Sequence, residues 1–414
     1  MNTTGKFGRA SALPRSLRVL AGAAAVALSV AACGGGGGAA STSGTGGVWH
    51  VGGSMILSGA AASYGSNMAG GMLAYFEDVN AKGGVAGRKI QLDQADGGLV
   101  AAQTIQSIKQ LSQQNDAIVI GGLLPSSAVL NAKSAIEQAK VPVLLGSPVT
   151  SMVRPAMDYV YGGGAPLFGD EAFMQADFAK AKLIQPGQAP RVAFVYQISA
   201  ESQLWADNIQ KLAAQNGWNV VGVESYQVGT TDFAAQAAKI GAAKPDIIFG
   251  AFDQSNFAFI KALMASNVTA PLVANQGGPH ADQMQQLNYP ALYVGRQIVY
   301  PTGDEPAVTA YRDLVKKYAP QADVQSHITQ YGYLQAKIIV GALQKCGNDC
   351  TPAKMNDTLK STTSIDTGGF TFTPITYSAQ STQGLDSEKF YTWDKASQQV
   401  KLLPESYTYK GQAS

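Results

Sequence analysis

The chain has 414 residues, a formal net charge of +2, and 14% charged against 46% hydrophobic side chains. Residues 1–32 hold four basic and no acidic side chains, so the remainder carries −2 and has no basic patch of the kind nucleic acid requires. Without those residues about 380 remain, more than one hydrophobic core usually supports, so two domains are expected.

Taken in chain order, the first element is a leader. Lys6, Arg9, Arg15 and Arg18 precede an apolar stretch from Val19 to Val30, and Val30-Ala31-Ala32-Cys33 reads as a lipoprotein processing site. The apolar run is too short and too rich in Ala for a spanning helix of about 20 residues. Residues 1–32 are therefore expected to be a lipoprotein signal peptide, with Cys33 lipidated. Residues 33–47 are almost entirely Gly, Ala, Ser and Thr; they can bury little surface and are expected to form a flexible tether. No strand precedes these glycines and no Gly-Lys-Ser/Thr follows them, so they are not a phosphate loop.

From residue 48 onward, short β-branched runs alternate with amphipathic stretches. Strands are expected at Met55–Leu57, Ile90–Leu92, Ala117–Ile120, Val141–Leu145, Val192–Tyr196, Val220–Val223, Ile247–Phe249 and Leu272–Ala274. Helices are expected at Met68–Asn80, Ala101–Gln113, Ala128–Lys140, Leu204–Asn216, Phe233–Ala243 and Asn256–Ser266. This alternation predicts an α/β fold of parallel sheets with right-handed crossovers. The Pro148–Gly164 and Tyr300–Gly303 stretches break the rhythm and are candidate crossings between lobes.

Cys346 and Cys350, in Cys-Gly-Asn-Asp-Cys, are expected to form a local disulfide in an oxidising exported compartment. His50, His280 and His327 are scattered without metal-ligand spacing. There is no His-Glu-x-x-His, no Gly-x-Ser-x-Gly and no free thiol beside a histidine, so catalysis, a metal and a cofactor are not expected.

In open α/β sheets ligands bind beyond the carboxyl ends of strands. Two such loops carry hydroxyls: Gly121-Gly122-Leu123-Leu124-Pro125-Ser126-Ser127, and Ser147-Pro148-Val149-Thr150-Ser151. Ser126 and Ser127 either cap the helix that follows or hold a ligand carboxylate with their hydroxyls and backbone N–H groups.

Ser58-Gly59-Ala60-Ala61-Ala62-Ser63-Tyr64-Gly65 and Val79-Asn80-Ala81-Lys82-Gly83-Gly84-Val85-Ala86-Gly87-Arg88, followed by Ile120-Gly121, Ser126-Ser127 and Gly229-Thr230-Thr231-Asp232-Phe233, resemble type I periplasmic binding proteins of the leucine/isoleucine/valine-binding type. The resemblance runs from Ser54 to about Leu403. It implies two Rossmann-like parallel-sheet lobes joined by a hinge of about three crossings, with 48–160 plus 298–364 in lobe I and 161–297 plus 365–410 in lobe II. It also implies an exported receptor, expected to be a monomer, that closes on a small solute, an amino acid or a related carboxylate or amide, and delivers it to an ABC permease; a lipid anchor at Cys33 suits such a receptor. A sensory receptor of the same fold is the alternative.

Carried across, Ser126 and Ser127 match the donors to a ligand carboxylate, Thr150 and Ser151 their companions, and Tyr64 an aromatic against the ligand side chain. Glu201 and Asp253 fall near positions often held by Tyr. Gln276 falls near the acidic partner of a ligand ammonium. A neutral amide cannot supply that charge, so Glu201 or Asp253 is expected to replace it. Both also have a structural reading: Glu201 as a first-turn residue favoured by the helix dipole, Asp253 as a cap.

Overall fold

The computed structural model describes residues 47–411 apart from 60, 123–125, 228, 253–254 and 362–363. The expected leader, Cys33, all but the last residue of the tether, Asp253 and the Ser126 side chain lie outside the described residues.

The first part of the chain runs β1 (Trp49–Met55), α1 (Ala62–Ala81), β2 (Ile90–Asp96), α2 (Ala101–Gln113), β3 (Val119–Gly122), α3 (Ser126–Asn131), α4 (Lys133–Ala139), β4 (Val143–Leu145), α5 (Thr150–Val153) and β5 (Val160–Gly162). Its five strands form one parallel sheet in the order β2-β1-β3-β4-β5. The next part runs α6 (Phe168–Lys182), β6 (Arg191–Gln197), α7 (Ala200–Gln215), β7 (Asn219–Tyr226), α8 (Ala234–Ala243), β8 (Ile247–Ala251), α9 (Asn256–Ala265), β9 (Leu272–Ala274), α10 (Ala281–Leu287) and β10 (Leu292–Arg296). The chain then returns to the first sheet with α11 (Pro306–Tyr318), α12 (His327–Cys346) and α13 (Pro352–Ser361), and finally pairs β11 (Ser387–Asp394) and β12 (Gln399–Thr408) onto the second. The second sheet has the order β12-β11-β10-β9-β8-β6-β7.

Both sheets are covered on both faces, as parallel strands require. Side-chain alternation along β4 puts Leu144 in the core beneath α1 and α12, and Val143 and Leu145 in the core beneath α2 and α4. In β8, Ile248 faces α8 and α9 while Ile247 and Phe249 face α6 and α7. The tightest helix crossing, α1 on α12, needs two glycines. A Cβ on Gly71 would sit 2.0 Å from the Thr329 carbonyl oxygen, and one on Gly332 the same distance from that of Met68.

The expected α/β alternation is present, with three departures. The strand expected at Met55–Leu57 occupies Trp49–Met55, because Gly52 and Gly53 interrupt the apolar run. Gly52 is small for a packing reason: a Cβ there would lie 3.0 Å from Ile120 and 3.2 Å from Leu111. The helix expected over Ala128–Lys140 is two helices, broken where the Ala132 N–H is shared between the Ala128 and Val129 carbonyls at 3.0 Å each. The second sheet is not wholly parallel: β11 runs antiparallel to both β10 and β12. Between β11 and β12 the four residues Lys395, Ala396, Ser397 and Gln398, the last at φ 53°, suffice to reverse the chain as a hairpin, so no crossover helix intervenes.

Two expected lobe boundaries also move. β5 pairs with β4 as far as Gly162, which keeps Tyr161 and Gly162 with the first sheet. Ile365, Phe370, Ile375, Tyr377 and Leu385 are buried in the core that α1 and α12 form on that sheet, so 365–385 pack with the first lobe rather than the second. Cys346 and Cys350 are joined as a disulfide with Cα atoms 5.3 Å apart, closing the turn between α12 and α13.

Candidate ligand cleft

The carboxyl ends of both sheets face a cavity of about 570 Å³ between the lobes. Ile56 follows β1 and Ser147 and Pro148 follow β4; Gln197 and Ile198 come at the end of β6, Phe252 after β8, and Gln276 after β9. Placement beyond strand ends follows from the topology, since adjacent crossovers leave a gap there.

The expected site residues divide. Tyr64, Ser127, Glu201 and Gln276 line the cavity. Tyr64 is half-buried in the first turn of α1 and packs on the first core. Ser127 is exposed at the start of α3, and its carbonyl accepts from Asn131 Nδ2 at 2.9 Å. Thr150 reaches the site through Glu201: its backbone N–H donates to Glu201 Oε1 at 3.1 Å and its hydroxyl to Oε2 at 2.9 Å. Ser151 is exposed and outside the lining, because α5 starts at Thr150 and turns the next side chain away. Ser126 begins α3, and Asp253 follows Phe252 outside the described residues.

Glu201 sits in the first turn of α7, whose N-cap Ser199 accepts from the Ser202 N–H at 3.1 Å. Burial raises its carboxyl above the ordinary value of 4.5, and the two Thr150 hydrogen bonds oppose that rise. Gln276 is 7% exposed; its N–H donates to Glu171 Oε1 at 3.0 Å and its side-chain oxygen accepts from the Tyr331 hydroxyl. Glu171 is fully buried beneath it and is pushed up to about 8, chiefly by desolvation.

Further contacts cross between the lobes. Arg154, after α5, donates to Asp170 of α6 at 2.9 and 2.6 Å, and Arg296 of β10 donates to Gln330 of α12 at 2.7 Å. With Thr150–Glu201 and Tyr331–Gln276 they hold the lobes together around the cavity.

The cavity also takes residues that sequence reasoning missed: Leu99, Phe168, Ile198, Phe252, His327 and Tyr331. Leu99, Ile198 and Phe252 shared a usable signal, an apolar side chain between a strand's end and the next helix. His327 is buried rather than solvated: burial lowers it to about 3, and its ring lies 5.9 Å from that of His280, itself lowered to about 4. Among the described residues no three His, Cys, Asp or Glu side chains group as metal ligands.

Residues 48–398 match the family model described as periplasmic binding protein. The chain belongs to the periplasmic binding protein family. It is 25% identical over 301 residues to a Leu/Ile/Val-binding protein homologue of Brucella suis biovar 1, covering 70% of this chain and 75% of that one. Two solved structures share the fold. One is a fatty acid ABC transporter substrate-binding protein from Thermomonospora curvata, with TM-score 0.71, 19% identity, and 88% and 93% of the two chains covered. The other is an ABC transporter solute-binding protein from Rhodopseudomonas palustris HaA2 in complex with p-hydroxybenzoic acid, with TM-score 0.72, 18% identity, and 88% and 98% covered. Periplasmic binding proteins are extracytoplasmic, and the family and these neighbours are substrate-binding proteins rather than enzymes.

Proposed function

We propose that this periplasmic binding protein is a lipid-anchored receptor that captures a small carboxylate, amide or amino acid and presents it to the permease of an ABC importer. The observation that carries the reading is the cavity of about 570 Å³ walled by strand ends of both sheets, within the size range of small-molecule sites. Contacts that bridge the lobes beside it, Thr150–Glu201 and Arg154–Asp170 among them, are what two-lobe closure over a solute needs. The Brucella relative is named for Leu, Ile and Val, and the two solved neighbours for a fatty acid and for p-hydroxybenzoic acid; all of these carry a carboxylate. The anchor reading rests on Val30-Ala31-Ala32-Cys33.

Two measurements test it. A thermal-shift screen of the purified protein against small acids, amides and amino acids should find a ligand that stabilises by about 2.7 kcal/mol at 100 times its dissociation constant. Cys33→Ser, expressed in a lipoprotein-processing bacterium, should abolish palmitate labelling; a variant that still labels and stays in the membrane fraction removes Cys33 as the anchor.

A further inference from the structure

We propose that the solute this cleft takes is apolar and carries no ammonium group. The inference rests on the solute-receptor reading and narrows it.

A zwitterionic amino acid enclosed between two lobes brings a cation that must meet a negative partner, because an unpaired buried charge is far less stable there than in water. Among the described lining residues, the only Asp or Glu is Glu201, and no Lys or Arg is present. Both oxygens of that carboxylate already accept from Thr150 across the cleft, one from its N–H and one from its hydroxyl. Gln276 stands where an acidic partner was expected, and its amide oxygen is taken by the Tyr331 hydroxyl. The carboxylates behind the lining are also engaged: Asp170 by Arg154 and Gln383, Glu171 by the Gln276 N–H. Asp323 lies beyond Gly277 and His327 in an adjoining polar space, with Oδ1 held by the Gln325 N–H at 2.9 Å.

The walls have the opposite character. Leu99 is 50% exposed and Ile198 47% exposed, among the most exposed large apolar side chains described, and both line the cavity with Phe168, Phe252 and Leu130. Apolar side chains left open inside a cleft, rather than scattered over the surface, mark surface that a partner covers. Uncharged hydroxyls are at hand for one polar end at Ser127 and Ser147, while those of Ser199 and Tyr331 already pair with Ser202 and Gln276.

Calorimetry on the full-length protein with two matched sets tests this: leucine, 4-methylpentanoate and 4-methylpentanamide; phenylalanine, 3-phenylpropanoate and 3-phenylpropanamide. Members of a set differ at the ammonium or the carboxyl group while keeping one apolar body. The expected result is that an acid or amide of at least one set binds at least tenfold more tightly than its amino acid. An amino acid that binds as tightly as its partners overturns the inference and leaves the receptor reading intact; loss of that binding in Asp253→Asn would then identify Asp253 as the ammonium partner. Absence of binding by all six also overturns it, and the receptor reading falls with it only if the broad thermal-shift screen is empty too.

Discussion

Thr150 and Glu201 meet across the cleft through two hydrogen bonds, the backbone N–H to Oε1 at 3.1 Å and the hydroxyl to Oε2 at 2.9 Å. One belongs to the first helical turn after β4 and the other to the first turn of α7, so the pair joins the strand ends of two separate sheets.

Thr150→Val keeps the backbone donor and removes the hydroxyl. A hydrogen bond to a charged group contributes about 1.5–3 kcal/mol, so the closed form should weaken and ligand affinity fall about tenfold or more. Small-angle scattering should show a larger radius of gyration at subsaturating ligand. Unchanged affinity and unchanged scattering would mean the contact does not hold the lobes closed.

The two serines that begin α3 give a second prediction. Ser126→Ala with Ser127→Ala should weaken binding of a carboxylate ligand at least a few-fold while affecting an amide ligand less, because charge-assisted hydrogen bonds are the stronger ones. Calorimetry decides it; equal affinities for the carboxylate in wild type and the double variant remove these serines from the anion site.

Stability should depend on pH through four buried groups. Glu171 and Glu388 are fully buried; desolvation raises Glu171 to about 8 and Glu388 well above 4.5, and the nearby Glu171 charge adds to the rise of Glu388. As pH rises above about 4.5 the unfolded chain releases these protons while the native chain keeps them, so stability falls toward pH 8. His280 and His327 act in the other direction. Burial lowers them to about 4 and about 3, so below about 6.5 the unfolded chain gains protons that the native chain refuses, and stability falls with acid. The two effects oppose each other between about 4.5 and 6.5, where stability should be greatest. Glu388→Gln should flatten the alkaline limb, since neither Glu388 oxygen has a hydrogen-bond partner among the described residues. Urea midpoints at pH 6 and pH 8 check this, and identical losses in wild type and variant would refute it.

The crossing of α1 and α12 is the most sensitive packing contact. Gly332→Ala puts a methyl 2.0 Å from the Met68 carbonyl oxygen, where backbone rather than a flexible side chain must give way. A loss of about 3 kcal/mol is expected from such overpacking. A urea midpoint within error of wild type would show that the helices separate freely.

Removing the Cys346–Cys350 disulfide should have a modest effect. The loop is short, with a sequence separation of 4, and loop-closure entropy gives about 2 kcal/mol for it. Cys346→Ser with Cys350→Ser should fray the end of α12 without abolishing folding, as read by circular dichroism and thermal unfolding.

Local pattern carried a large part of the fold. Ala101–Gln113 and Leu272–Ala274 coincide with α2 and β9, because an uninterrupted helical period and a compact apolar run are properties of neighbouring residues. The strand-end rule pointed to the loop that leads to Ser127, and the family resemblance to Tyr64, Glu201 and Gln276; all four line one cavity. The sequence alone did not place β1 correctly, since Gly52 and Gly53 look like loop residues until Ile120 and Leu111 are packed against them. Nor did it reveal that β11 would run antiparallel, which depends on where the chain re-enters after α13. The cleft's electrostatics were decided later still. Thr150 and Glu201 are 51 residues apart and Gln276 and Tyr331 are 55 apart. Each polar group looks available in the sequence, and only the meeting of the two lobes determines which donor takes which acceptor and what remains for a ligand.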